Sequence, residues 1–153
     1  MLGHITEWFY HDLAGIQLDP AAPGYQKIII KPAFVGGITW AKASYNSVRG
    51  VIVSDWTLTN NSATLKVTIP VGSTGLVCLP LFANVTTNLL ITESGTPIWQ
   101  NGAVAGRAPG VAFSQVQGTN SQTYSAWTVG SGSYQFAWNA FPGSDRFGRR
   151  ERQ

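Results

Sequence analysis

His4, Glu7 and His11 have side chains that ligate zinc or carry protons, and steps of three and four would set them along one face of a helix. The pattern is not that of a zinc helix. Histidines seven residues apart are separated by about 10.5 Å along a helix axis, too far to share one ion, so a solvated polar face is expected and neither a metal nor any other cofactor is implied. The seven acids are Glu7, Asp12, Asp19, Asp55, Glu93, Asp145 and Glu151, and no spacing among them assigns a general acid and a general base. Cys78, the single cysteine, lies in the apolar run GLVCLPL and reads as a small buried hydrophobe. No phosphate-binding glycine loop, G-x-S-x-G elbow or Cys/His cluster is present. What remains is stacking on sugars. With aromatic residues at 12%, Trp99 and Trp127 are the least clearly assigned to a core face and become the candidates for a carbohydrate platform, against a competing reading in which both simply pack.

The elements that would position these groups are strands. The chain has 153 residues, 44% hydrophobic and only 11% charged, enough to bury one core without a disulfide or a structural metal. Seventeen glycines and eight prolines divide it into short pieces, and after Tyr25 apolar residues alternate with polar ones. Strands are expected near 26–31, 38–45, 50–59, 63–69, 74–80, 88–93, 97–99, 111–116, 122–129 and 133–138. Turn residues separate them, among them Gly36-Gly37, Asn60-Asn61, Gly72-Ser73, Ser94-Gly95 and Gly130-Ser131-Gly132. Within them Tyr134, Phe136 and Trp138 share one face, as do Ile52, Trp56 and Leu58. The expected fold is all-β, an antiparallel, jelly-roll-like β-sandwich, with the segment 101–110 as a loop.

One helix precedes it. Leu2, Ile5, Phe9, Leu13 and Ile16 fall at steps of three and four, with Trp8 beside them, and Gly15 stands where a helix stops. The expected divisions are a helix over 1–16, a proline-rich linker over 17–25, the sandwich over 26–138 and a basic tail over 139–153. Most of the net charge of +3 arises from that tail, which holds Arg146, Arg149, Arg150 and Arg152, so a nucleic-acid partner is not expected. No basic n-region precedes the apolar start as in a signal peptide, and no apolar run reaches the roughly 18 residues of a membrane span. Asn60 and Asn84 begin N-x-S/T sequons, which matter only in a glycosylating host.

The order of these segments resembles the junction between the catalytic domain and the C-terminal β-sandwich of glycoside hydrolase family 78 α-L-rhamnosidases. The matching residues are Gly3, Glu7, Trp8, Tyr10, Ala14, Gly15 and Ile16 of a barrel-closing helix, then Asp19, Pro20, Pro23, Gly24 and Tyr25 of a linker, then Thr39 to Tyr45. VGSGSYQF at 129–136 resembles the last strand pair of that domain. The resemblance implies an inverting hydrolase in the whole enzyme, which needs two carboxyl groups roughly 6.5–9.5 Å apart. It also places the catalytic acids and the active-site histidine upstream of Met1, and His4 is not that histidine, because it falls inside the helix. The chain is therefore expected to be non-catalytic, a structural or accessory domain. A carbohydrate-binding module and one part of a split rhamnosidase completed by another chain are the alternatives. Leu2, Ile5, Trp8, Phe9, Leu13 and Ile16 would be left without a barrel to enter, so they are expected to form a homo-oligomer through the helix or to contact a missing catalytic domain, with folding back onto the sandwich through the linker as the alternative.

Overall fold

Alternation carries directly into the strands. In β4 (Gly50–Leu58) Ile52, Ser54 and Trp56 are buried while Val51 and Thr57 face water, and in β5 (Ala63–Ile69) Ala63, Leu65, Val67 and Ile69 are buried. The computed structural model describes residues 9–19, 24, 26–33, 37–59, 62–81, 89–100, 102–118 and 123–139. The remaining strands there are β1 (Ile16–Leu18), β2 (Lys27–Ile30), β3 (Trp40–Ser47), β6 (Thr74–Leu81), β7 (Leu90–Glu93), β8 (Thr96–Gln100), β9 (Ala103–Val104), β10 (Val111–Gly118), β11 (Thr123–Val129) and β12 (Gly132–Trp138). They make a five-stranded sheet in the order β1-β2-β6-β11-β10 and a seven-stranded sheet in the order β3-β4-β5-β12-β7-β8-β9. Pairing is antiparallel except between β2 and β6. This is the expected β-sandwich.

Both sheets feed one core, with Trp127, Ile28, Ile30 and Leu79 from the first meeting Trp56, Phe136, Ile52 and Leu65 from the second. Trp138 Nε1 donates to the Pro80 carbonyl at 3.0 Å and so ties β12 of one sheet to β6 of the other. Tyr134 and Phe136 stack with centroids 6.4 Å apart, on the face expected for them. Cys78 is buried, as expected. The β7–β8 hairpin turns on Ser94 and Gly95, both at positive φ, the conformation a two-residue hairpin demands.

Two expectations are corrected. The helix does not run through Ile16. Phe9–Leu13 form a single turn of π-helix, Ala14 and Gly15 leave it, and Ile16–Leu18 become β1, paired in antiparallel register with Ile28–Ile30 of β2. Gly15 at φ +80° makes this change of direction, and its carbonyl accepts the Lys31 amide at 2.8 Å. Leu2, Ile5 and Trp8 lie outside the described residues. The segment 101–110 is not entirely loop, since Ala103–Val104 add to β8, and Ala108 is buried.

Candidate functional site

The described acids do not converge on one place. Asp12 sits in the helical turn beside His11 at 2.7 Å, and Asp19 follows β1 and pairs with Lys27 at 3.4 Å. Asp55 is on β4 and Glu93 ends β7. Glu93 is the buried one, accepting hydrogen bonds from Ser94 Oγ at 2.7 Å and from the Gln135 amide at 3.3 Å, so its carboxylate organises the β7–β8 hairpin. Nearby, burial and then the Glu93 charge push the Tyr134 hydroxyl above its ordinary range. Among the described residues no cluster of His, Cys, Asp or Glu could hold a metal ion. His4 and Glu7 fall outside those residues, as do Asp145, Glu151, Asn60 and Asn84.

The candidate tryptophans do come together, but inside the molecule. Trp99 of β8, Trp127 of β11 and Phe113 of β10 form a triad with centroids 5.2–6.5 Å apart where the sandwich opens at the β9 and β10 edges. Trp127 is 1% exposed and donates Nε1 to Ser125 Oγ at 3.0 Å, and Trp99 is 8% exposed. Neither offers an open ring face for a sugar. The triad member with an accessible edge is Phe113, which walls a cavity of about 420 Å³ together with Trp127, Ile98, Val104 and Arg107.

The stripe residues are divided. Phe9 lies in the π turn, while Leu13 and Ile16 are buried in the core of their own sandwich. Ser54 Oγ donates to the Ala14 carbonyl at 2.6 Å and Trp56 Nε1 to the Leu13 carbonyl at 2.9 Å, both buried. Two carbonyls freed by the end of the helical turn are thus taken up by side chains of β4, in the opposite sheet from β1. Residues 13–18 are held between the two sheets. The sequence signal was indirect: a buried polar Ser54 sharing parity with Ile52 and Trp56 calls for a hydrogen-bond partner.

Comparison with known proteins points one way. Residues 15–91, half of the chain, match the family model described as the bacterial alpha-L-rhamnosidase C-terminal domain. An alpha-L-rhamnosidase of Streptomyces avermitilis is 31% identical over 78 residues, and one of Alteromonas sp. is 34% identical over 68, covering 51% and 44% of this chain. Among solved structures, the alpha-L-rhamnosidase from Dictyoglumus thermophilum superposes over 90% of the chain with a TM-score of 0.70 and 28% identity. The Streptomyces avermitilis enzyme, solved with L-rhamnose, superposes over 88% with a TM-score of 0.62, a likeness of fold. The chain spans only 7% of the length of the first two relatives and 13% of the Dictyoglumus chain.

Proposed function

The chain belongs to the family of bacterial α-L-rhamnosidase C-terminal domains, and from that premise we propose that it is a non-catalytic accessory domain that fixes the end of a catalytic helical barrel. The observation that carries this reading is the capture of residues 13–18. Ser54 and Trp56 of β4 take the Leu13 and Ala14 carbonyls while β1 joins the opposite sheet, so a helix arriving from upstream would be tied to the sandwich without a flexible hinge. Leu2, Ile5 and Trp8 lie outside the described residues, and their expected contact with a catalytic domain is part of this proposal.

Catalysis is assigned to the partner domain. The described acids of the chain are engaged in local pairs or dispersed over different strands, and an inverting glycosidase needs two carboxyl groups opposed across a sugar. The isolated chain is expected to release no chromophore from an aryl α-L-rhamnoside, even at high protein concentration. Turnover that persists through repurification and disappears on Asp55→Asn or Glu93→Gln would overturn the reading.

A further inference from the structure

The outer face of the seven-stranded sheet carries an arrangement that an accessory scaffold does not need. Trp40 on the edge strand β3 is 64% exposed, the most open of the tryptophans described. Its neighbour in register on β4 is Thr57, and one pleat further along the same face stand Lys42 and its cross-strand partner Asp55. Asp55 is in turn opposite Lys66 of β5, and Lys66 opposite Gln135 of β12. Among the described residues none of the side chains of Lys42, Asp55, Lys66 and Gln135 forms an ion pair or hydrogen bond. They line a shallow depression of about 600 Å³ with Thr68 and Ser133.

We propose that this face binds a neutral oligosaccharide, with one pyranose stacked on Trp40 and the chain running across the strands over Thr57, Asp55 and Lys66. The dimensions agree. Directly opposed residues stand about 5 Å apart and their diagonal neighbours about 7–8 Å, so Trp40, Thr57, Lys42 and Asp55 frame an area the size of one sugar ring. Successive strands are spaced by about 4.8 Å, close to the advance of one pyranose in an extended glycan. The chemistry agrees as well. An indole face takes the C–H side of a sugar, a free carboxylate accepts from its hydroxyls, and ammonium and amide groups donate to them. A protein partner would call for clustered apolar area, whereas the immediate neighbours of Trp40 on this face are Lys42, Thr57 and Asp55, and the valines of the same face, Val53 and Val51, stand further along β4. The proposal is independent of the scaffolding role, which rests on the opposite side of β4.

The test is titration of the 153-residue chain with cello-, xylo-, manno- and rhamno-oligosaccharides, followed by tryptophan fluorescence and calorimetry. Saturable binding to at least one series is expected, tightening with chain length. Trp40→Ala should weaken it by about tenfold or more and Asp55→Asn by a smaller factor. Both variants should keep the parent's melting temperature, since neither side chain is in the core. Absence of binding to every series overturns the proposal, and so does binding that Trp40→Ala leaves intact. If an added rhamnosidase catalytic domain shields Trp40 from oxidation while no glycan does, the face is an interdomain contact and the proposal fails, though the scaffold reading stands.

Discussion

Tyr134 shows how one side chain links the core to the turns around it. Its ring stacks on Phe136, its hydroxyl donates to the Gly130 carbonyl at 3.0 Å, and it lies within reach of the buried Glu93 charge. Burial first, and then Glu93, disfavour the phenolate, so the folded-state pKa stands above the ordinary value of about 10. Below that value the folded and unfolded chains hold the proton equally. As pH rises past it the unfolded chain releases the proton first, so stability falls until the folded pKa is reached. Tyr134→Phe should therefore cost about 1 kcal/mol at neutral pH, for the lost hydrogen bond, and flatten the decline between about pH 9 and 11. Tyr124 is raised for a similar reason, by burial and then by Cys78, and should leave a residual slope that Tyr124→Phe removes. Urea unfolding across that range decides the matter, and an unchanged slope in both variants would show that other groups control alkaline stability.

At the scale of elements, the passage from helical turn to β1 depends on Gly15. A Cβ placed there would stand 2.3 Å from the Lys31 carbonyl carbon, and φ is +80°. Gly95 shares a positive φ but would meet no atom, so the pair separates conformational strain from collision. Gly95→Ala should cost on the order of 1 kcal/mol, whereas Gly15→Ala should cost more than about 2 kcal/mol and expose β1 to proteolysis. Equal urea midpoints for the two variants would mean that β1 is not held as described. Ten of the eleven strands described after Tyr25 were legible because alternation survives wherever one face is buried, as in ATLKVTI of β5. β1 was not, because Ile16 continues the three-and-four spacing of Leu13 even though the backbone changes type at Gly15 between them. Two-residue β9 is too short to show any period. Trp99 and Trp127 were singled out for lacking a core face, yet they meet across two sheets, a contact no local pattern reveals. Trp40 did carry a signal: in TWAKAS it shares parity with Lys42 and Ser44 while Ala41 and Ala43 take the other side, which puts the tryptophan on the water face.

Over the whole molecule, the core extends from Leu13 to Trp138 without a break, so the segment preceding the sandwich belongs to the folding unit. Leu13, Ala14 and Ile16 are buried against both sheets, and each of the two larger side chains contributes roughly 1.5–3 kcal/mol by leaving water. Removing them also uncovers the β2 edge, with Ile28 and Ile30 beside it, and strips Ser54 and Trp56 of their acceptors. The combined loss, on the order of 5 kcal/mol or more, is comparable to the entire stability of an ordinary domain. A chain beginning at residue 19 is therefore expected to aggregate or to melt far below the full chain. A chain beginning at residue 9 keeps every contact named here and supplies the control. Gel filtration with light scattering, together with thermal melts, compares the two. If the chain from residue 19 proves monomeric and melts with the full chain, then residues 13–18 are a dispensable linker, and the rigid coupling on which the scaffold reading rests is lost.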